Sequence, residues 1–235
     1  MIEAEWWDYE DADELAGAVA GDVAFIIESA IDARGSAVIA LAGGKTPRPI
    51  LEKLAQAKLP WKNVTIIPTD ERIVALDNPL SNVAMLAKIF LPKGARVVPI
   101  ISDKAADYKL AGSAASSRIS DFHWPLDLIW LGMGEDGHTA SIFNGPDLDD
   151  ALNAPPECKA VGVMPDPMPK DAPVARVTLT KASIQSAKSI VIVLTGDKKR
   201  ALLESAIEEG DSSPLPIGRV LVGLETPVDI HWCAG

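Results

Sequence analysis

The sequence contains little cysteine and no long apolar segment. Its two cysteines, Cys158 and Cys233, form neither a CxxC pair nor a cluster with histidine, which argues against a disulfide framework and a structural zinc site. No stretch approaches the ~20 uninterrupted apolar residues that a membrane span needs. The first residues, MIEAEWWDYEDADEL, lack the basic and apolar regions of a signal peptide. We therefore expect a protein of the reducing cytoplasm.

Positive charge is also scarce. The 235 residues include 22 Lys and Arg against 33 Asp and Glu, which gives a formal net charge of −11. This charge repels phosphate backbones at long range, so we expect no nucleic acid and no membrane as partners. A small anionic substrate is still compatible, because donors within ~8–10 Å set the local field of a pocket. For assembly, we expect a monomer or a weak homo-oligomer.

Short apolar runs alternate with amphipathic segments along most of the chain. This alternation predicts right-handed crossovers and an α/β fold with a mostly parallel sheet. Predicted strands cover residues 36–44, 64–67, 97–101, 126–132, 189–194 and 228–232, and Arg176 lies in a further one. Predicted helices cover residues 13–34, 47–58, 82–90, 105–122 and 197–209.

One segment departs from this alternation. Residues 144–173 hold seven of the 18 prolines and show little periodicity. We interpret them as an irregular excursion over the surface of a single domain that spans residues 1–235, with a cover over the active site as one interpretation.

Polar groups concentrate where the predicted strands end, which is where open parallel sheets bind ligands. Gly43-Gly44-Lys45-Thr46 follows the first core strand. Two glycines let the backbone approach an anion, and the helix start at Thr46-Pro47 offers unpaired N–H groups, with the Thr46 hydroxyl as the expected N-cap. The segment fits a phosphate loop, and it equally fits a tight β–α turn that needs glycine.

A second polar group, Asp70-Glu71-Arg72, follows the next strand in the predicted turn PTDER. The planar guanidinium of Arg72 can hold a phosphate or a lactone oxygen, with Asp70 orienting it. A salt bridge within a loop is the alternative interpretation.

The segment GMGEDGHTAS carries the sharpest chemical signal. His138 lies among glycines at the end of an apolar strand, two residues after Asp136. A neutral imidazole accepts a proton near neutral pH, and a carboxylate on its other nitrogen fixes the tautomer. The alternative is a capping histidine on a turn. For His123 and His231 we expect packing or surface roles.

Two further cations are candidates for anion contacts. Arg176 opens the strand RVTLT, and Lys198 lies in the first turn of a predicted helix. The helix dipole disfavours a cation at this end of a helix, so a bound anion would explain why a lysine occupies position 198. An exposed surface lysine is the alternative.

Five segments, in this order between about residues 36 and 209, together resemble the 6-phosphogluconolactonases of the pentose phosphate pathway. They are LAGGKTP, TDERIV followed by DNPLSN, LGMGEDGHTASIF, RVTLT and TGDKKRALLE. The resemblance implies a three-layer α/β/α sandwich with a mostly parallel sheet (NagB/RpiA-like). It also implies hydrolysis of 6-phospho-D-glucono-1,5-lactone to 6-phospho-D-gluconate with no metal and no organic cofactor.

The resemblance further implies roles for individual residues. His138 is similar to the catalytic base, Asp136 to its partner, and Arg72 to a substrate-contacting arginine. The implied phosphate and substrate contacts are Gly43, Gly44, Thr46, Arg176 and Lys198, to which we add Lys45 and Asp70. The family often has Ser or Thr at the position of Lys45, which leaves open whether Lys45 contacts phosphate.

Two other functions share this fold. A glucosamine-6-phosphate deaminase has a similar loop, but its motif tends to read GHIAFNEP, whereas here GHTASIFNGPD differs after the histidine. A non-catalytic sugar-phosphate sensor would carry a helix-turn-helix domain. The first 35 residues, which are acidic and predict at most one strand and one helix, leave no room for one.

Overall fold

The computed structural model describes residues 2–102 and 107–235. Its strands are β1 (Ala4–Tyr9), β2 (Ala37–Leu41), β3 (Val64–Pro68), β4 (Asp70–Arg72), β5 (Arg96–Val97), β6 (Leu128–Leu131), β7 (Ala160–Val163), β8 (Arg176–Leu179), β9 (Ile190–Thr195) and β10 (Val228–Cys233). Its α-helices are α1 (Ala12–Arg34), α2 (Pro47–Leu54), α3 (Asn82–Phe90), α4 (Tyr108–Ser120), α5 (Leu148–Leu152), α6 (Lys181–Gln185), α7 (Asp197–Glu209) and α8 (Pro216–Leu221).

Seven strands form the central sheet in the order β1-β10-β9-β6-β2-β3-β5, and every neighbouring pair is parallel. From β2 the chain winds outward through β3 to β5. It then returns to β6, on the other side of β2, and winds outward through β9 to β10. The winding direction therefore reverses between β2 and β6, and the crevice at their carboxyl ends is where such sheets bind ligands.

Helices cover both faces of this sheet, which gives the predicted three layers. In β2, Ile39 and Leu41 pack with α1, α2 and α3, whereas Val38 and Ala40 pack into the cluster that includes α4, α7 and α8. Because alternate residues of a strand point to opposite faces, a strand covered on both sides must be apolar throughout, as AVIAL is. The predicted fold class is confirmed.

The boundaries of α1 follow from its end residues. The Asp11 carboxylate accepts hydrogen bonds from the amides of Asp13 and Glu14 at 2.9 Å, and Gly35 ends the helix with a φ of 81°. A carboxylate N-cap and a left-handed glycine are typical helix ends. α1 packs its apolar stripe on the sheet and leads the chain from β1 back to the start of β2.

A second, smaller sheet was not predicted. Asp70–Arg72, expected to be a turn, forms β4 and pairs antiparallel with β8, which in turn pairs antiparallel with β7. The expectation of an irregular segment at 144–173 is therefore wrong in part, since that segment contains α5 and β7. The pairing between β4 and β8 joins residues about a hundred positions apart, so no local sequence pattern predicts it.

Several predicted elements are shorter than expected, and proline accounts for the early end of β5. β5 ends at Val97 instead of residue 101, because Pro99 has no N–H to donate to a neighbouring strand. α2 ends at Leu54 instead of residue 58, because the amides of Gln56 and Ala57 donate to carbonyls three residues back, as in turns. Of the predicted helix 105–122, residues 105 and 106 lie outside the described part of the chain, and α4 begins at Tyr108. Across residues 2–102 and 107–235, no helix has the length and apolar character to cross a bilayer.

Candidate active site

A cleft of about 810 Å³ opens at the carboxyl ends of β2, β3, β6 and β9. Its lining includes the segments that follow β2 and β6, so it lies at the reversal point of the sheet. The small sheet contributes Asp70, Arg72 and Arg176 to the same lining. Most of the residues predicted to form a site are therefore brought together.

The loop after β2 forms one end of the cleft. A Cβ on Gly43 would lie 2.0 Å from Oδ1 of Asn82, and Gly44 has a φ of +110°, so both positions require glycine. Pro47 begins α2 as predicted, but the expected capping by Thr46 is wrong: Thr46 has helical backbone angles and its side chain makes no capping hydrogen bond. The first N–H groups of α2 therefore have no Thr46 hydroxyl as partner, which suits anion binding.

Arg72 is held by the residues that begin α3. Its NH1 donates to the carbonyl of Leu80 at 2.8 Å and to Oδ1 of Asn82 at 2.9 Å, while its Nε has no partner among residues 2–102 and 107–235. Nδ2 of Asn82 donates to the backbone carbonyl of Asp70 at 2.8 Å. Asn82 thus fixes the guanidinium of Arg72 and leaves one of its donors unpaired.

Glu71, between Asp70 and Arg72, is fully buried and anchors α3 to β4. Its carboxylate accepts hydrogen bonds from the amides of Asn82 at 2.8 Å and Val83 at 2.7 Å, and from the Ser81 hydroxyl at 3.1 Å. Burial raises the pKa of this carboxyl, and the backbone hydrogen bonds oppose that shift. The first turn of α3 is therefore fixed against the strand that carries Arg72.

His138 is paired with Asp136 at the end of the loop after β6. Nδ1 of His138 lies 2.5 Å from Oδ1 of Asp136, and the His138 amide donates to the same oxygen at 3.2 Å. Burial raises the pKa of the Asp136 carboxyl, but the hydrogen bond and charge of His138 outweigh it, and the net shift is downward. Because Nδ1 is engaged, Nε2 is the nitrogen left for a ligand.

Gly134 makes this close pairing possible. A Cβ at that position would lie 2.2 Å from Cε1 of His138 and 2.6 Å from Oδ1 of Asp136. The loop is closed by a hydrogen bond of 2.9 Å from the Gly134 amide to the carbonyl of His138. Gly137 continues it with a φ of +77°. The glycines of GMGEDG thus serve a compact turn that presents the imidazole.

Phe143 contacts both His138 and Arg176. The rings of Phe143 and His138 are stacked with centroids 4.1 Å apart, and Cζ of Arg176 lies 5.0 Å from the centroid of Phe143. Arg176 is buried, which lowers the pKa of its guanidinium, while the charge of Asp70 opposes this effect. NH2 of Arg176 donates to the carbonyl of Ala172 at 3.2 Å, and its Nε has no partner within the described ranges.

Ser141 joins the histidine loop to the small sheet. Its hydroxyl donates to Oδ2 of Asp70 at 2.5 Å and lies 3.5 Å from NH1 of Arg176. Its amide donates to the hydroxyl of Thr178 in β8 at 3.1 Å. The base-carrying loop and the arginine-carrying strands are therefore connected through one buried hydroxyl.

Three lysines lie near the cleft, but only two of them belong to its lining. Lys45 and Lys199 line it, whereas the predicted contact Lys198 is exposed outside the lining, with Nζ 2.6 Å from Oε2 of Glu135. Neither Lys45 nor Lys199 has an ion-pair partner within residues 2–102 and 107–235. In the first turn of α7, consecutive side chains point about 100° apart, which accounts for the difference between Lys198 and Lys199.

The other two histidines lie away from the cleft, as expected. His123 is exposed. His231 in β10 is buried, stacks on Tyr9, and has its Nδ1 2.8 Å from the Tyr9 hydroxyl oxygen. Over the described ranges, no group of three or more His, Cys, Asp or Glu side chains is placed to hold a metal ion.

Among the residues of the site that were not assigned a role from the sequence are Asn82, Ser141, Phe143 and Lys199. The SN pair after TDERIV was a signal for Asn82, and Lys199 is adjacent to the chosen lysine. Phe143 and Ser141 belong to the segment LGMGEDGHTASIF, but their roles depend on contacts with β4 and β8, which no local pattern indicates.

The relatives of this chain decide between the sugar-phosphate functions. Residues 10–232 match the model of the glucosamine-6-phosphate isomerases/6-phosphogluconolactonase family. The chain belongs to this family. It is 36% identical to a 6-phosphogluconolactonase of Rhizobium meliloti over 95% of this chain and 96% of that protein. It is 34% identical to one of Pseudomonas putida over 95% of this chain and 90% of that protein.

The fold of the glucosamine-6-phosphate isomerase/6-phosphogluconolactonase family extends over the whole chain. The crystal structure of a 6-phosphogluconolactonase from Shewanella baltica superposes with a TM-score of 0.90 at 30% identity, covering 99% of this chain and 98% of that one. The resemblance seen between residues 36 and 209 is therefore confirmed and extends to both flanks.

Proposed function

We propose that this chain opens the ring of 6-phospho-D-glucono-1,5-lactone, with His138 activating the attacking water. Membership of the family, with relatives at 36% and 34% identity that are 6-phosphogluconolactonases, makes it a lactone-hydrolysing enzyme of the pentose phosphate pathway. The role of His138 is supported by its position: its Nδ1 pairs with Asp136, and the residue lines the same cleft as Gly43 and Gly44.

The phosphate of the substrate binds at the loop after β2. Its charge meets the free amides at the start of α2, the positive end of the helix dipole, and the cations Lys45 and Lys199. The Thr46 hydroxyl, which caps nothing, is a further donor. Binding at this end holds the lactone so that its C1 carbon reaches the histidine loop.

The chemical step needs a base and a group that stabilises negative charge. Nε2 of His138 takes a proton from water as the water oxygen attacks C1, while Asp136 holds Nδ1–H and stabilises the imidazolium. A well-placed base contributes ~10²–10⁴-fold. The carbonyl electrons move to oxygen, and the unpaired donors of Arg72 and Arg176 stabilise the oxyanion.

Collapse of this intermediate completes the reaction. The oxyanion re-forms its double bond, the bond from C1 to the ring oxygen breaks, and His138 returns its proton to the leaving oxygen. The product is the open-chain acid. Ser141 is not the nucleophile in this proposal, because its hydroxyl is fully buried and already donates to Asp70 at 2.5 Å.

The test is a lactonase assay with freshly prepared 6-phosphogluconolactone, corrected for spontaneous ring opening. His138→Ala should reduce the turnover number by ~10²-fold or more. His123→Ala, which changes an exposed histidine away from the cleft, is the matched control and should retain wild-type turnover. An unchanged turnover number in His138→Ala would refute the role of this residue. Incubation with glucosamine-6-phosphate should release no ammonia, and ammonia release would favour the deaminase alternative.

Other properties follow from this function as proposals. The substrate is a phosphorylated intermediate of central metabolism, which supports a cytoplasmic enzyme. We propose one domain over residues 1–235, no nucleic-acid partner, and a monomer or weak homo-oligomer. The acidic net charge of −11 supports the absence of a nucleic-acid partner.

A further inference from the structure

One buried hydroxyl at the cleft has no hydrogen-bond partner. Thr69 lies between β3 and β4, is 0% exposed, and lines the cleft. Its Oγ1 makes no hydrogen bond with any group in residues 2–102 and 107–235. Leaving a buried hydroxyl unpaired is unfavourable, so such groups in a folded protein require an explanation.

The other fully buried threonines behave differently. Oγ1 of Thr139 donates to the carbonyl of Gly132 at 2.9 Å, that of Thr178 to Leu179 at 3.1 Å, and that of Thr180 to Cys158 at 2.9 Å. None of these three threonines lines the cleft. The exception is therefore the one threonine of this group that belongs to the lining of the cleft.

The backbone holds Thr69 in this position. Its amide donates to the carbonyl of Leu41 in β2 at 3.1 Å, and its carbonyl accepts from the amide of Leu179 in β8 at 3.0 Å. Thr69 thus joins the central sheet to the small sheet. A residue fixed on both sides, with a stiff β-branched side chain, cannot readily turn its hydroxyl toward another partner.

We infer that the Thr69 hydroxyl hydrogen-bonds to a hydroxyl group of the sugar chain and so helps to select a polyol substrate. This inference rests on the proposed function. A sugar hydroxyl is a better partner than the phosphate, because the next residue, Asp70, places a carboxylate in the same lining and would repel a dianion. Sites built to hydrogen-bond a substrate hydroxyl discriminate against ligands that lack it.

The experiment compares two substitutions at this position. Thr69→Val keeps the shape and removes the hydroxyl, and Thr69→Ser keeps the hydroxyl. Calorimetric titration with the product, 6-phosphogluconate, should show binding about five- to tenfold weaker for Thr69→Val and within about twofold of wild type for Thr69→Ser. The Tm of ligand-free Thr69→Val should equal or exceed that of wild type, because an unpaired buried polar group has been removed.

Thr180→Val is the matched control, because it removes a buried threonine hydroxyl that is already paired away from the cleft. It should lower the Tm and leave product binding unchanged, which is the opposite pattern. Inorganic phosphate, used as a competitive inhibitor, should inhibit wild type and Thr69→Val equally.

Two results would overturn the inference: product binding by Thr69→Val that matches wild type, or inhibition by inorganic phosphate that weakens as much as product binding does. The first would mean that the hydroxyl makes no contact with the bound sugar, and the second that it contacts the phosphate. Failure of the proposed function would look different, since the wild-type protein itself would then neither bind 6-phosphogluconate nor open the lactone.

Discussion

The imidazole of His138 lies against the ring of Phe143, with centroids 4.1 Å apart and planes inclined by 23°. The same phenyl ring lies 5.0 Å from Cζ of Arg176. The proposed base and one of the proposed oxyanion donors are therefore fixed relative to each other by a side chain that has no chemistry of its own.

Replacing Phe143 by Leu should lower the turnover number by about three- to tenfold, because an aromatic pair is worth ~0.5–1.5 kcal/mol and the freed imidazole samples unproductive orientations. The Michaelis constant should change less than the turnover number, since the phosphate loop is untouched. Steady-state kinetics on Phe143→Leu and on Phe25→Leu, an exposed position of α1, will check this. A turnover number within twofold of wild type would contradict it.

Replacing Asp136 by Asn should reduce the turnover number by about 10²- to 10⁴-fold, because an amide neither fixes the Nδ1–H tautomer nor stabilises the imidazolium. The lowered pKa of the Asp136 carboxyl keeps it ionised throughout the neutral range, so the loss should be similar from pH 6 to pH 8. Glu135→Gln is the control, since it changes the preceding carboxylate, which pairs with Lys198. Equal turnover in both variants would argue against the pair.

The two adjacent lysines of α7 should differ in their effect on substrate binding. Lys199→Met should raise the Michaelis constant about tenfold or more, because a charge-assisted hydrogen bond to phosphate is lost. Lys198→Met should change it less than twofold, since that lysine lies outside the lining and is paired with Glu135 at the surface. The reverse order of the two effects would assign the phosphate contact to Lys198, as first predicted from the sequence.

The stability of the fold should depend on pH through His231. Burial lowers the pKa of His231, against the opposing charges of Asp22 and Asp229, so the folded state keeps this ring neutral. The unfolded chain protonates it near pH 6.5. The contribution is therefore fully present above that value and is lost as the pH falls toward the folded pKa, by at most ~1.4 kcal/mol per pH unit.

Urea unfolding between pH 7.5 and pH 5 will measure this dependence. Wild type should lose stability as the pH falls, and His231→Gln should show a shallower slope whatever its stability at pH 7.5. His123→Gln, at an exposed position, should keep the wild-type slope. Identical slopes for wild type and His231→Gln would show that other groups account for the acid dependence.

The central sheet could be predicted from the sequence because its strands are covered on both faces. Runs such as AVIAL and IVIVLT are apolar at every position, and glycine or proline marks where several of their neighbours begin or end. GGKT and DGH each follow a predicted strand directly, so both were predicted to lie at the edge of the sheet formed by the carboxyl ends of its strands. That edge is where the structure has the cleft.

The small sheet and the contacts around it could not be predicted in this way. β4 is three residues long and polar, and it is a strand only because β8 pairs with it. The links from Ser141 to Asp70 and from Phe143 to Arg176 depend on that pairing. They are tertiary contacts between segments that lie far apart in the sequence, so no local pattern predicts them.

The parallel pairing of β1 with β10 determines where a fused protein would emerge. β10 ends at Cys233, whose carbonyl accepts a hydrogen bond of 2.9 Å from the amide of Gly196, directly before α7 and its Lys199. An affinity tag or fluorescent label attached after Gly235 therefore begins beside the end of the cleft that Thr195 and Lys199 line. β1 lies beside β10 and runs parallel to it, so β1 begins at the other end of the strands and a label attached ahead of it leaves the cleft clear.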